Sequence, residues 1–282
     1  MDLKKILPEN GPPIAEVSKY IEKYKNDIIV IKYGGNVFID RNIFNNFISD
    51  IGILNKLELS IVIVHGGGPR IKRELDKSNI QSKFIKGLRV TDKKIISIVE
   101  NVLIDFNNDI VNSLEEKGTK AISVNTRKNN VIEVIPETEE LGFVGKPNKI
   151  NINIIKDIIK NKVIPIISPL GLGQDSQTYN INGDTAAGAI AKSLKSRRLL
   201  LMTNIKGVLD KEKRLIEEIT SSEILKMIDD ETITEGMIPK INTCLDAVNN
   251  GVTAVGIIDG RKQHSILFEI FSDKGSGTLI RK

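Results

Sequence analysis

Short β-branched runs alternate with longer stretches of helical spacing along almost the whole chain. The first run, Ile28-Ile29-Val30-Ile31-Lys32-Tyr33, ends at Gly34-Gly35; the second, Ile61-Val62-Ile63-Val64-His65, ends at Gly66-Gly67-Gly68-Pro69. Near-continuous apolar runs of this length predict strands buried on both faces of a parallel sheet. Residues 41–57 predict a helix between them, and a second helix runs over about 69–78. Ile95, Ile96, Val99, Val102, Leu103, Phe106, Ile110 and Leu114 recur at helical spacing, which predicts a long amphipathic helix over about 92–117. Strands are expected at 121–125 and 131–135, joined by a polar turn at 127–130. A helix at 150–160 and a strand at 162–168 follow.

The texture changes near residue 171. A segment rich in Gly, Gln, Ser and Asp (171–178) reads as a loop, leading through Asn180-Ile181-Asn182-Gly183-Asp184 to a small-residue helix at 185–194. Strands at 199–203 and 254–258, helices at about 221–229 and 239–249, and a last helix at 261–271 complete the pattern. Such alternation predicts an α/β fold with an open, mostly parallel central sheet sandwiched by helices. We expect an N-terminal segment (1–26) and two lobes (27–175 and 176–282) sharing one sheet. In the first segment, Ile14, Val17, Ile21 and Tyr24 form one apolar helical stripe. That extra helix packs either on its own subunit or against a neighbouring chain.

Composition narrows the function. The 282 residues are 40% hydrophobic, enough for a sizeable core. The 41 basic and 36 acidic residues are interspersed, with no basic block interleaved with aromatics, which argues against nucleic acid and leaves small anionic substrates open. One cysteine, Cys244, excludes an intramolecular disulfide and suits a reducing compartment. The start, Met1-Asp2-Leu3-Lys4-Lys5, lacks a signal-peptide core, and no segment approaches membrane-spanning length. We therefore expect a cytoplasmic protein without membrane partners.

The candidate chemistry gathers at the glycine turns. Glycines let a backbone approach a ligand with amides facing an anion, and Pro69 suits the opening of a helix, whose N-terminus favours negative charge. Lys32 ends its strand at the sheet edge where open α/β sheets bind ligands; a solvated lysine is the plain alternative. Lys240 follows Pro239 into a helix, where a cation opposes the helix dipole; an anion shared with that helix end would resolve the conflict. Asp184 is either a helix cap or an acid that tempers the repulsion between two lysines. Asn180, Asn182 and Asp184 alternate, so an extended segment would turn them one way. Arg89, in a loop, suits capture of a carboxylate. The chain has neither the G-x-x-x-x-G-K-[ST] loop nor a properly placed G-x-G-x-x-G. Ser-His-Asp spacing of the hydrolase kind is absent, and His65 and His264 make no metal site.

Together, Lys32-Tyr33-Gly34-Gly35, His65-Gly66-Gly67-Gly68-Pro69, Gly87-Leu88-Arg89-Val90-Thr91, Glu140-Leu141-Gly142-Phe143-Val144-Gly145, Asn180-Ile181-Asn182-Gly183-Asp184-Thr185 and Gly236-Met237-Ile238-Pro239-Lys240 resemble the amino-acid kinase family. Within it they resemble the branch that phosphorylates N-acetyl-L-glutamate in arginine biosynthesis, and the likeness covers about residues 19–280. The resemblance implies catalytic roles for Lys32 and Lys240, organised by Asp184. Arg89, Asn180, Asn182, Gly67 and Gly68 would bind the acceptor, with Arg89 on its α-carboxylate. Gly34, Gly35, Asn204, Lys206, Gly207, Leu209, Thr232 and Thr234 would line ATP, whose phosphates carry Mg²⁺; no protein metal site is expected. An acceptor carboxylate is already ionised at neutral pH, so no general base is required.

The chain departs from the pattern at Asn204, where Asp is usual, at Arg70, often Gln, and at Gly183, usually Ala. The N-terminal helix and the C-terminal pattern around His264 resemble arginine-inhibited members. They imply a hexamer (a trimer of dimers) with L-arginine bound near Tyr24, His264, Glu269 and Gly275, and a PII-type signalling protein as a further partner. Acetylaminoadipate, glutamate or aspartate are alternative acceptors. A catalytically dead sensor is disfavoured by the intact Lys32, Asp184 and Lys240.

Overall fold

The β-branched runs become the middle of one eight-stranded sheet. A computed structural model describes residues 2–34, 40–234 and 236–282; Gly35, expected at the nucleotide, lies outside them. Two helices, α1 (Leu3–Ile6) and α2 (Ile14–Tyr24), lead into β1 (Ile28–Tyr33), α3 (Arg41–Lys56), β2 (Ser60–His65) and α4 (Gly68–Lys77). A small hairpin, β3 (Phe84–Ile85) and β4 (Leu88–Arg89), precedes the long α5 (Lys93–Glu116) and β5 (Ala121–Val124). Then come β6 (Ile132–Pro136), β7 (Gly145–Ile150), α6 (Ile152–Lys160), β8 (Ile164–Ile167), β9 (Leu170–Leu172) and β10 (Thr178–Asn180). The remainder is α7 (Gly183–Leu194), β11 (Arg198–Thr203), β12 (Glu218–Thr220), α8 (Ser221–Asp229), α9 (Ile238–Asn249), β13 (Ala254–Asp259), α10 (Ser265–Phe271) and β14 (Gly277–Arg281).

The main sheet runs β12-β14-β13-β11-β1-β2-β8-β5. Every neighbouring pair is parallel except β13 with β14. The expected open, mostly parallel α/β architecture is therefore what forms. Alternate residues of each central strand feed two separate cores. Val30, Val62 and Val64 meet Ala187 and Ile190 of α7 and Ile241 and Cys244 of α9 on one face. Ile29, Ile31, Ile61 and Ile63 meet α3, α5 and α10 on the other. Burial on both faces explains why the strands read as unbroken apolar runs.

Pairing of β1 with β2 sets Lys32 opposite Val64 and Tyr33 opposite His65, so both glycine turns leave the sheet at one level. Helix starts are fixed locally: Asp40 accepts from the amides of Asn42 and Ile43, and Asp92 from those of Lys94 and Ile95.

Three expectations change. The strands at 121–125 and 131–135 do not form one hairpin. Both residue faces of β5 are apolar enough to join the main sheet beside β8. In β6, exposed Glu133 and Ile135 flank buried Val134, which suits a one-faced sheet, and β6 joins the second sheet, β10-β9-β6-β7. The loop at 171–178 has ends that pair as β9 and β10. The last helix begins at Ser265, not 261, because the Asp259 carboxylate accepts from the backbone and guanidinium of Arg261 and His264 turns left-handed at φ 56°. The chain then closes with β14 instead of a helix.

Within the chain, the N-terminal stripe packs against α10 and the core beneath it. Val17 and Tyr24 are fully buried while Ile14 stays 40% exposed. Asp273 accepts from Lys19 Nζ and Tyr20 Oη, each at 2.8 Å, and gives its amide to Glu16. Among the described residues no helix is long and apolar enough to cross a membrane.

Candidate active site

Strand alternation turns Lys32 toward the face covered by α7 and α9. There its ammonium lies 2.8 Å from Asp184 Oδ1, a close ion pair without the alignment of a good hydrogen bond. From the third residue of α9, Lys240 Nζ donates to Asp184 Oδ2 at 2.5 Å. Asp184 can serve both lysines because it does not cap its helix. Asn182 does, accepting from the amides of Asp184 and Thr185 at 2.9 and 3.1 Å. The three side chains are only 10, 15 and 16% exposed. Burial pulls the Lys32 ammonium below the ordinary lysine range, against the attraction of Asp184. Burial alone would raise the Asp184 carboxyl, but the two ammoniums hold it well below the usual carboxylate range. Gly34 completes the turn: a Cβ there would stand 1.7 Å from Lys32 Nζ.

A cavity of about 260 Å³ opens beside this triad, bounded by Lys32, Gly67, Gly68, Arg89, Asn180 and Asp184. Asn182 also lines it, with one oxygen committed to its helix. Arg89 is a β4 residue, not a loop residue, and is buried. Its guanidinium donates to Ser82 Oγ and lies 4.8 Å from the Phe84 ring centroid. It makes no close ion pair with a carboxylate among the described residues; burial pulls its guanidinium down, and the attraction of Asp76 only partly offsets this. The sequence reading missed Ser82 and Phe84. The signal was the exposed Phe84-Ile85 pair two residues before Gly87, which takes the left-handed φ of 79°.

A second cavity, of about 530 Å³, is lined by Lys206, Gly207, Leu209, Thr232, Thr234 and Met237. Met237 caps α9, one turn before Lys240. Asn204 is exposed at the end of β11 and does not line it. Among the described residues no group of three His, Cys, Asp or Glu could hold a metal ion.

The residues grouped as a regulatory site are only partly brought together. Tyr24, Glu269 and Gly275 share a cleft of about 130 Å³ with Lys23, Arg198 and Glu217. His264 does not join them. Its Nδ1 is 2.7 Å from Asp50 Oδ1, where α10 packs on α3, because the left-handed turn before α10 directs the ring into the core.

Two buried lysines sharing one carboxylate beside glycine turns form a site suited to an anionic ligand. Residues 27–259 match the profile of the Amino acid kinase family, and the chain belongs to that family. Acetylglutamate kinase of Pelagibacter ubique (strain HTCC1062) is 54% identical over 281 residues, covering 100% of this chain and 98% of that one. Acetylglutamate kinase of Clostridioides difficile (strain 630) is 44% identical over 279 residues, 97% of this chain and 98% of its own. Among solved structures, N-acetylglutamate synthase from Neisseria gonorrhoeae, complexed with coenzyme A and N-acetyl-glutamate, superposes with a TM-score of 0.86 at 22% identity. That match covers 95% of this chain but 62% of the synthase, and it speaks for the fold alone.

Replacing Asp184 by Asn removes the charge that both lysines share, and should cost about 3–5 kcal/mol of stability at neutral pH. The sign follows from the depressed carboxyl: its contribution is full above the unfolded carboxyl range, about pH 4, and fades only below it. Denaturant titrations of both proteins should therefore show a gap that is constant from neutral pH down to about pH 5 and narrows in stronger acid. A gap that closes already near neutrality would contradict this.

Proposed function

We propose that the chain transfers the γ-phosphoryl group of ATP to the side-chain carboxylate of N-acetyl-L-glutamate, giving ADP and N-acetyl-L-glutamyl 5-phosphate in arginine biosynthesis. The observation that carries this reading is the buried Lys32–Asp184–Lys240 triad, two members of which line the same cavity as Arg89. The names of the full-length relatives supply the acceptor.

In this reading a carboxylate oxygen attacks phosphorus in line while the bond to the β-phosphate oxygen breaks, and no proton need move. Lys32 and Lys240 offset the negative charge on the group in flight, and Asp184 keeps them at the separation that flight requires. Arg89 takes the α-carboxylate in a bidentate grip and Asn180 assists. The Gly67 and Gly68 amides face the acceptor oxygens, and Gly34, Lys206, Gly207, Leu209, Thr232 and Thr234 surround the nucleotide. Mg²⁺ would arrive with the nucleotide and offset phosphate charge, with no group of the described residues to hold it. Asp184 has both oxygens occupied by lysines, so phosphate oxygens and water would be its ligands. His65 is buried, and burial pushes its imidazole down to about 4; it is no base for this reaction.

L-Arginine inhibition belongs to the same proposal. The cleft at Tyr24, Glu269 and Gly275 offers carboxylates for a guanidinium, and Lys23 and Arg198 for an α-carboxylate.

Trapping the acyl phosphate as its hydroxamate should give product with N-acetyl-L-glutamate and ATP, and little with glutamate, aspartate or acetylaminoadipate. The Lys240→Ala variant should lose on the order of 100-fold in kcat; near-normal turnover would refute its role. The rate should show no acid limb near the ordinary imidazole value of about 6.5. It should fall on the alkaline side, as buried Lys32 loses its proton below the ordinary lysine value of about 10.4. Saturating L-arginine should slow the enzyme, and an unchanged rate would exclude the regulatory part.

A further inference from the structure

Beneath the second glycine turn lies a buried polar chain that the transfer chemistry leaves unexplained. His65, Asn107 and Ser168 come from β2, from α5 and from the end of β8, and all three are fully buried. His65 Nδ1 is 2.8 Å from the Gly66 carbonyl oxygen. A carbonyl only accepts, so Nδ1 carries the proton and Nε2 is the acceptor. Asn107 Nδ2 donates to the Ile166 carbonyl at 2.8 Å and toward Ser168 Oγ at 3.0 Å. Ser168 Oγ in turn lies 3.2 Å from His65 Nε2. With Nδ1–H given to Gly66, Nε2 accepts from Ser168 Oγ or from Asn107 Nδ2, which lies 3.1 Å from it; Asn107 Oδ1 is buried without a hydrogen-bond partner among the described residues.

The last bond acts on the peptide between Gly66 and Gly67. A trans peptide points its carbonyl and its N–H in opposite directions. With the Gly66 carbonyl drawn back to His65, the Gly67 amide faces away from the imidazole. Gly66 and Gly67 line the smaller cavity, and His65 does not. Among the described residues the Gly67 amide donates to nothing. The other side of the turn is pinned too, since the Gly66 amide donates to the Tyr33 carbonyl at 2.8 Å. A Cβ at Gly67 would stand 2.4 Å from Leu103 Cδ2, so α5 packs directly against the turn.

We propose that His65 is a positioning residue: through its Nδ1–H it fixes the Gly66–Gly67 peptide so that the Gly67 amide is held, before substrate arrives, toward an acceptor or phosphoryl oxygen. The inference rests on the reading of the smaller cavity as the acceptor site. It assigns the imidazole a preorganising task and makes Asn107 and Ser168 the groups that select its tautomer. The low proton affinity of the buried ring keeps that tautomer neutral through the working pH range.

The test has two arms. With two histidines in the chain, ¹⁵N spectra of the folded protein resolve each ring. His65 should carry its proton on Nδ1, with Nε2 bare, across about pH 5 to 9. A proton on Nε2 overturns the proposal. In the kinetic arm, His65→Asn places an amide nitrogen where Nδ1 stood, whereas His65→Gln places one where Nε2 stood. The Asn variant should stay within several-fold of wild type. The Gln variant should lose about 10- to 100-fold in kcat/KM for the acceptor, with KM for ATP unchanged. Equal losses that track the melting temperatures would mean a purely structural histidine and also overturn it. If no form phosphorylates any acceptor, the proposed function fails, and the tautomer alone decides this inference.

Discussion

Two ammonium groups share one carboxylate at the end of a parallel sheet, and the surrounding structure exists in a form that lets them do so. Lys32, Asp184 and Lys240 come from a strand and two helices, and each is buried enough that its charge would be costly alone. Local electrostatics opposes the arrangement. Lys240 sits in the first turn of α9, where the helix end already carries positive charge. Only the Asp184 carboxylate, 2.5 Å away, makes that position tolerable. Asp184 is available because the cap of α7 falls to Asn182 two residues earlier. A single exchange of capping duty thus separates an ordinary helix start from a charge relay point.

The sheet supplies the rigidity that the triad demands. Because its two faces feed separate cores, β1 cannot rotate or slip without moving apolar side chains from one core to the other. Lys32 is therefore fixed on the α7–α9 side as firmly as its neighbours Val30 and Ile31 are fixed in their cores. The register of β1 on β2 levels the two glycine turns, and the His65 chain below the second turn couples that level to α5 and β8. By contrast, Arg89 and Phe84 hang on a two-stranded hairpin outside the main sheet. The triad thus stands on the main sheet and its helices, and Arg89 on a separate hairpin.

What the sequence disclosed follows from how local each signal is. The β-branched runs, the glycine turns and the conflict at Lys240 are all visible within a few residues. So the central strands, most helices and the triad residues were legible before any coordinates. The missed strands β12 and β14 are short, and they exist through pairing with each other and with β13, which no local pattern records. The helix-cap assignment at Asp184 stayed open because Asn182 and Asp184 are both good caps; the packing of α7 on β1 and α9 decided between them. The placement of His264 was likewise not legible locally. Its partner Asp50 is 214 residues away in sequence, and the left-handed turn that aims it there has no glycine to announce it. The network of His65, Asn107 and Ser168 spans separations of 42 to 103 residues, so only the fold assembles it.

The placement of Arg89 apart from the main sheet bears on specificity. The fold by itself names no acceptor, so discrimination is a matter for groups at the cavity rim. Arg89 is suited to that task because it is buried with no carboxylate in ion-pair contact among the described residues, and only Asp76 at longer range. A ligand that brings an anion to it recovers the desolvation already spent on the guanidinium. A ligand that lacks one leaves a buried charged donor unsatisfied, and this kind of mismatch discriminates more strongly than a missing methylene does. In the proposed reading, selection among carboxylate acceptors therefore lies with a hairpin residue that never touches the phosphoryl group, while the triad remains indifferent to which acceptor it serves.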